Sequence, residues 1–300
     1  MEESHLVTLP AALVRQYDVR SQDGTRIRAW TNDGSGPDVL ITNGLGTNPH
    51  AWPTVLQPDS GFRVHGNYHR GIGGSARPDN GRIGVDAHVE DAIAVMDAAG
   101  MDSAVLIGWS IGVNVAFELA HRHPDRVRGI LSICGVPGDT FATMLQPLHL
   151  PGPLAKVLVT AATYSTIFTG RASGPVLKRW PWNRFTVDLI RTAHVISPAA
   201  ETGALQALVQ EFFQTHPSWY AQLGMAAAKH GRVSLSGIDV PTSFVAGSWD
   251  VLAGPDSMRT AAERLPHSRF REIARATHFV PIEHPDVVLS ELRDLASRCH

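Results

Sequence analysis

A serine flanked by two glycines lies where an apolar segment meets a helical pattern. The residues are Gly108-Trp109-Ser110-Ile111-Gly112, between the apolar run 104–107 and a helical period that continues to residue 122. A serine in such a sharp strand-to-helix turn exposes its hydroxyl, and the glycines let neighbouring backbone approach closely. We predict that Ser110 is a nucleophile that attacks a carbonyl carbon. The alternative is a structural glycine turn before a buried helix.

A serine hydroxyl is a weak nucleophile until a base accepts its proton, so a histidine must lie beside it. The chain has 15 histidines. His278 follows the last predicted strand, at the edge of the sheet where parallel α/β proteins bind their ligands. His284 precedes a proline and is typical of a helix start. His121 and His123 end the helix after Ser110, which favours a solvated cap over a metal site. We therefore predict that His278 is the base.

The imidazole of a catalytic histidine must in turn be oriented by a carboxylate. Asp250 follows the strand predicted at 242–246 through a Gly-Ser-Trp turn, which places it at the same edge of the sheet as His278. Asp139 follows the strand predicted at 127–133 and is the rival position for the acid. We favour Asp250 as the third member of a Ser-His-Asp triad.

Strands and helices alternate through most of the chain, and this order positions the three side chains. Asp23-Gly24 suits the tight turn of an opening antiparallel hairpin, and the later alternation predicts parallel strands joined by helical crossovers. We therefore expect an α/β fold with a mostly parallel central sheet and helices on both faces. The predicted strands are 17–20, 25–30, 39–42, 62–64, 104–107, 127–133, 242–246 and 268–273, and the predicted helices are 85–99, 111–122, 257–265 and 286–297.

The alternation stops in a long segment where proline, tryptophan and threonine accumulate. Its helical patterns are short, with 201–213 the best of them, and Pro151-Gly152-Pro153 and Trp180-Pro181-Trp182 indicate breaks between small helices. We interpret this segment as an insertion that forms a helical cap. The predicted bounds are 1–135 and 238–300 for the core domain and 136–237 for the cap.

The predicted cap is rich in leucine, phenylalanine, tryptophan and threonine, which favours an apolar substrate cavity over the strand ends. Its most apolar stretch, 156–168, either faces lipid or packs the cap on the core. Trp109 and Trp249 each adjoin a predicted triad residue, and they either wall this cavity or pack against the serine turn. The substrate is therefore expected to have an apolar part.

The order Ser110, Asp250, His278 on this alternation, with an insertion before the acid, resembles the α/β-hydrolase fold over most of the chain. The further segments that resemble family motifs are Asn43-Gly44-Leu45-Gly46, Arg70-Gly71-Ile72-Gly73-Gly74-Ser75, residues 120–127 and Thr277-His278-Phe279. The resemblance implies that the backbone N–H groups of Leu45 and Ile111 form the oxyanion hole. Each such donor stabilises the transition state by about 3 kcal/mol.

Two positions depart from the family's pattern. Asn43 stands where the family usually has histidine, and Tyr68 stands where an aspartate commonly precedes Arg-Gly. Neither belongs to the triad, and since the oxyanion donors are backbone groups, we expect the Asn43 amide to affect only how the loop is held. A serine at 110 also argues against the epoxide-hydrolase and haloalkane-dehalogenase branches, because both need a carboxylate nucleophile.

The composition excludes several other classes of protein. With 43% hydrophobic and 18% charged residues in 300, the chain can bury a large core, which excludes disorder. A net charge of -2 argues against nucleic acid as a partner. With only two cysteines, Cys134 and Cys299, the sequence indicates neither a disulfide framework nor a zinc site. A single disulfide between the two is the remaining alternative. The start of the chain lacks a signal-peptide pattern and no apolar run reaches about 18 residues, so we expect a cytoplasmic protein without an integral membrane segment.

Together these features predict a serine hydrolase that cleaves carboxylic esters with an apolar acyl or alcohol part. It would act through an acyl-enzyme and need no cofactor and no metal. The same triad also serves cofactor-free haloperoxidases and perhydrolases, C–C bond hydrolases, and hydrolases of thioesters or lactones, which the sequence does not separate. A ligand-binding, receptor-like protein on the same fold is a further alternative. The sequence indicates no oligomeric state.

Overall fold

A central sheet organises the protein. The computed structural model describes residues 14–145, 150–192, 196–197, 200 and 202–299. In that part of the chain the strands are β1 (Arg15–Arg20), β2 (Arg26–Thr31), β3 (Asp38–Thr42), β4 (Arg63–Asn67), β5 (Ala104–Trp109), β6 (Val127–Ile133), β7 (Thr242–Gly247) and β8 (Ser268–Ile273). Their order in the sheet is β1-β2-β4-β3-β5-β6-β7-β8. β2 pairs antiparallel with β1 and β4, and the remaining pairs are parallel. The predicted hairpin and the mostly parallel sheet are confirmed.

Helices cover both faces of this sheet, as predicted. Within the described residues they are α1 (Val85–Ala98), α2 (Ile111–Arg122), α3 (Thr140–Thr143), α4 (Gly152–Arg179), α5 (Arg184–Thr192), α6 (Thr202–Phe212), α7 (Pro217–Ala228), α8 (Pro255–Glu263), α9 (Val280–Glu283) and α10 (Pro285–Arg298). Side chains of a strand alternate between its two faces. Leu40 of β3 therefore belongs to the same hydrophobic cluster as residues of α1, α2 and α8, whereas Val39 and Ile41 belong to the cluster that includes residues of α10. None of these helices is both long and apolar enough to cross a membrane.

Helices α3 to α7 lie between β6 and β7, in the segment predicted to form the cap. The expectation of short helices there was wrong, because α4 runs for 28 residues. Pro153 lies in its first turn, where the missing N–H would have no partner in the helix anyway. The hydroxyls of Thr163, Thr166 and Thr169 each donate to the carbonyl four residues earlier, so these threonines are accommodated within the helix. The predicted break at Trp180 is where α4 ends.

The apolar stretch 156–168 lies in α4, and its large side chains are not all packed on the core. Gly170 and Gly174, rather than large apolar side chains, make the close contact with residues 216–218 at the start of α7. Val157 and Phe168 point outward, with 65% and 73% of their surface exposed. Small residues therefore join α4 to its neighbour, and its large apolar side chains remain available on the surface and along a groove.

Arg70, in the motif at 70–75, connects the opening hairpin to α1. Its guanidinium is fully buried and forms ion pairs with Asp91 of α1 and with Asp23 of the hairpin turn. It also donates to the hydroxyl of Ser21 (3.0 Å). A buried cation with two carboxylate partners fixes the geometry of the elements that carry them. This motif therefore supports the fold rather than the chemistry.

Replacing Arg70 by methionine is expected to lower the free energy of unfolding by about 3–5 kcal/mol, because Asp91 would remain buried without its cation. The thermal midpoint would fall by about 10 °C in calorimetry. Arg269→Met is the matched control, since Arg269 pairs with Asp294 at the surface, and such pairs contribute little to stability. Equal effects of the two variants would show that the buried pair adds nothing.

Candidate active site

Ser110 occupies the turn between β5 and α2 in a conformation that explains both flanking glycines. Its backbone is strained, with φ 56° and ψ -122°, which is a rare region for a residue with a side chain. A Cβ on Gly112 would collide with the carbonyl oxygen of Thr42 in the neighbouring strand, and one on Gly108 would press on the first turn of α2. The glycines thus allow the tight approach that exposes the Ser110 hydroxyl.

The structure brings Ser110, His278 and Asp250 into one hydrogen-bonded chain. The Nε2 atom of His278 lies 2.8 Å from Oγ of Ser110. The Nδ1 atom of the same ring lies 2.9 Å and 3.0 Å from the two carboxylate oxygens of Asp250. Asp250 is fully buried, and its Oδ1 also accepts hydrogen bonds from the backbone N–H groups of Leu252 and Ala253, both at 2.8 Å. This is the geometry of a nucleophile, a base and an orienting acid.

The rival residues lie elsewhere. Asp139 precedes α3 and pairs with Lys156 at 3.0 Å, so it does not face the imidazole of His278. His284 precedes the first residue of α10, as predicted for a helix start. His121 is in the exposed last turn of α2. The rival acid and these histidines are therefore outside the triad geometry.

The two tryptophans beside the triad differ in role. Trp109 is buried, lines the cavity next to Ser110, and donates from its indole N–H to the carbonyl oxygen of His278 at 3.0 Å. It therefore both walls the cavity and holds the loop that carries His278. Trp249 is 51% exposed and is not part of the cavity wall. Trp249 therefore neither walls the cavity nor packs against the serine turn, the two positions expected for it.

Leu45 and Ile111, the predicted oxyanion donors, both line the cavity that contains Ser110. Ile111 is the first residue of α2, so its N–H has no carbonyl partner within the helix. The loop of Leu45 starts at Asn43, whose amide donates to the Asn67 carbonyl (2.9 Å) and accepts from the Trp52 indole (3.0 Å). Asn43 thus ties the start of this loop to the end of β4 and to the core.

Cys134 is a neighbour of the triad that sequence reasoning missed. It directly follows β6, and its Sγ lies within 4.8 Å of both a carboxylate oxygen of Asp250 and a ring nitrogen of His278. Burial, and then the negative charge of Asp250, raise the pKa of this thiol well above its usual value. A metal ion needs a thiolate, so these three residues fit a metal poorly. The neutral thiol instead donates to the Thr277 carbonyl at 3.7 Å. Its position at the end of a parallel strand was the available signal.

Glu283 of α9 is a second residue that the sequence did not single out. It is buried and accepts hydrogen bonds from the backbone N–H and the hydroxyl of Thr277, at 2.8 Å and 2.6 Å. Thr277 immediately precedes His278, so Glu283 holds the loop that carries His278. No local pattern distinguishes this glutamate from one in an ordinary helix start.

A cavity of about 390 Å³ opens at Ser110 and His278. Its wall comes from the core at Leu45 and Trp109, from Phe141 of α3, and from Leu208 and Phe212 of α6. Among the described residues that line it, none is aspartate, glutamate, lysine or arginine. The cavity therefore suits an apolar group next to the serine hydroxyl.

A larger cleft, of about 980 Å³, lies at the opposite edge of the sheet. Its lining includes Val127 and Ser268, which begin β6 and β8, and the cleft is therefore at the amino ends of the parallel strands. Ligands of open α/β sheets bind at the carboxyl ends. The smaller cavity at Ser110 is the better candidate for a substrate site.

Comparison with known proteins agrees with this fold. Residues 37–285 match the family model described as alpha/beta hydrolase fold. The chain is 25% identical over 260 residues to a pimeloyl-[acyl-carrier protein] methyl ester esterase of Aeromonas hydrophila, covering 84% of this chain and 92% of the relative. It is 24% identical over 258 residues to a 2-hydroxymuconate semialdehyde hydrolase of Pseudomonas putida, covering 85% of each. The structure of an esterase from Exiguobacterium antarcticum superimposes with a TM-score of 0.74 at 16% identity, over 94% of this chain and 100% of that one, which shows the fold alone.

Proposed function

The chain belongs to the alpha/beta hydrolase fold family, and from this premise we propose that it is a serine hydrolase of carboxylic esters with an apolar acyl or alcohol part. The observation that carries the proposal is the hydrogen-bonded chain from Ser110 through His278 to Asp250. The helices between β6 and β7 act as a cap, since α3 and α6 contribute to the wall of the cavity beside Ser110.

In the first half-reaction, Oγ of Ser110 attacks the ester carbonyl carbon while Nε2 of His278 accepts the hydroxyl proton. The carbonyl oxygen becomes an oxyanion, which the N–H groups of Leu45 and Ile111 stabilise by hydrogen bonds. The tetrahedral intermediate then expels the alcohol, which takes the proton back from His278. An acyl ester of Ser110 remains.

In the second half-reaction a water molecule replaces the alcohol. His278 accepts a proton from the water as its oxygen attacks the acyl carbon, and the same N–H groups stabilise the second oxyanion. Collapse releases the carboxylic acid and returns the proton to Oγ of Ser110. Throughout, Asp250 accepts the Nδ1–H hydrogen bond, which keeps Nε2 free to accept protons.

The lining of the cavity favours an ester over the substrate of a C–C hydrolase. 2-Hydroxymuconate semialdehyde, named for the Pseudomonas putida relative, carries a carboxylate. Such a group would find no cation among the described residues that line this cavity, and burying an unpaired charge is costly. An uncharged apolar ester meets no such penalty.

The purified protein is expected to turn over p-nitrophenyl esters in the series from acetyl to palmitoyl, which a spectrophotometer follows directly. A fluorophosphonate should label one serine, and mass spectrometry of the digest should place the label on Ser110. Labelling without turnover would instead favour the ligand-binding protein on the same fold. An unlabelled, inactive protein would overturn the triad chemistry.

A further inference from the structure

The cavity at Ser110 adjoins a second apolar space on the side of α4. This space is an open groove of about 640 Å³ between α4, α6 and α7. The cavity and the groove share walls at Phe141, Met144, Phe212 and Leu252. The two spaces are therefore adjacent, and the boundary between them that an extended ligand would cross is formed by apolar side chains.

We propose that this groove binds the distal part of a long acyl chain whose ester carbon is at Ser110. The natural substrates would then be esters of long-chain fatty acids rather than of short acids. This inference rests on the proposed function, because it names the substrate class of the same site. It also predicts binding of an uncharged long-chain analogue of the ester, the methyl ketone 2-tridecanone, which does not depend on catalysis.

One side of α4 forms a hydrocarbon-lined wall of the groove. Leu158, Ala162 and Thr166 recur every four residues along it, with Val159 and Thr163 beside them. At 1.5 Å per residue this stripe is about 12 Å long. It is solvent-exposed, with Leu158 46% accessible, so an occupant would remove apolar surface from water on both sides of the contact.

The polar side chains of the groove have partners within the protein. The hydroxyls of Thr163 and Thr166 donate to the carbonyls of Val159 and Ala162, at 2.7 Å and 3.0 Å. The hydroxyl of Tyr220 donates to the Phe212 carbonyl at 2.7 Å. No charged residue belongs to the wall in the part of the chain that the structure describes. A polar or charged group would find few hydrogen-bond partners in this groove, whereas a methylene chain needs none.

The test compares two alanines of α4 that are both exposed. Ala162 lines the groove and Ala161 does not, so Ala162→Trp obstructs it and Ala161→Trp is the matched control. The measured quantity is the ratio of kcat/KM for p-nitrophenyl laurate to kcat/KM for p-nitrophenyl butyrate. Since each buried methylene favours binding by up to about fourfold, Ala162→Trp should lower this ratio at least about tenfold, and Ala161→Trp should leave it within about twofold.

A binding experiment separates this inference from the proposed function. Calorimetric titration of 2-tridecanone into the Ser110→Ala protein should give a Kd that rises at least about tenfold when Ala162→Trp is added, and does not rise with Ala161→Trp. Equal ratios and equal Kd values in the two tryptophan variants would overturn the groove. A change of mass by Ala162→Trp in sedimentation would assign the groove to a second copy of the chain and also overturn it. Absence of ester hydrolysis by the wild-type protein, with 2-tridecanone binding to the Ser110→Ala protein intact, would contradict only the proposed function.

Discussion

Replacing Ser110 by alanine is expected to lower kcat/KM for p-nitrophenyl butyrate by about 10⁶-fold, the loss that follows removal of the nucleophile from other triad hydrolases. Alanine lacks the oxygen that forms the acyl ester, and among the described residues no other hydroxyl forms a hydrogen bond with Nε2 of His278. The His278–Asp250 pair remains intact in the variant. Steady-state hydrolysis, with limits set by single-turnover measurements, checks this prediction.

Ser257→Ala provides the matched control for that variant, because Ser257 lies in α8 away from the cavity. It should retain full activity. Both alanine variants should unfold at the wild-type temperature, since alanine keeps the Cβ that already tolerates the strained turn at position 110. Residual activity of the Ser110→Ala protein above about a hundredth of wild type would contradict the nucleophile assignment.

The edge of the sheet that carries the triad is predictable from local patterns. Ser110 lies between an apolar run and a helical period, and Asp250 and His278 each follow a strand. Parallel strands bring their carboxyl ends to the same edge. Residues that are far apart in the chain therefore meet without any long-range information beyond strand order, and the structure places all three within hydrogen-bonding distance.

The helices over that edge were less predictable, because their stability depends on tertiary contacts. The threonines and prolines of α4 lower its intrinsic helix propensity, which favoured the expectation of short helices. Its close packing on α7 through Gly170 and Gly174 stabilises the long helix. Helix propensity is a local property and carries no information about this contact with α7. The length of α4 and the groove beside it could therefore not be predicted from the sequence pattern of the segment.

The contacts that support the triad are also long-range. The indole N–H of Trp109 donates a hydrogen bond to the carbonyl of His278, 169 positions away in the chain. The thiol of Cys134 donates one to the carbonyl of Thr277, 143 positions away. Pairings of this kind depend on the final register of β5 and β6 against the loop after β8. The sequence therefore indicates the groups proposed to react, whereas the residues that hold them in place become visible only in the folded structure.

Replacing Asp250 by asparagine is expected to lower kcat/KM by about 10⁴-fold while leaving the fold unchanged. The amide oxygen can still accept the N–H groups of Leu252 and Ala253. The amide NH₂ would then face Nδ1 of His278, which must become an acceptor, so the ring proton moves to Nε2. In that tautomer Nε2 cannot accept the proton of Ser110, and the reaction loses its base.

Kinetics of fluorophosphonate labelling test the same point, because labelling also requires the base. Asp250→Asn should label much more slowly than wild type, whereas Asp256→Asn, on the exposed surface of α8, should label at the wild-type rate. If Asp250→Asn retained more than about a tenth of the wild-type rate, the carboxylate would be structural and not part of the triad.

The double variant Ser110→Ala, Asp250→Asn decides whether the three residues act as one unit. Independent contributions would multiply, so the double variant would lose the product of the two single losses. A triad behaves differently, because Asp250 acts only by tuning the base that serves Ser110. Once the hydroxyl is gone, the imidazole has no serine proton to accept and no acyl-enzyme forms, so its tautomer no longer affects the acyl-enzyme route. The double variant should therefore hydrolyse esters as slowly as Ser110→Ala alone, and a further loss would show that Asp250 contributes by a route outside the triad.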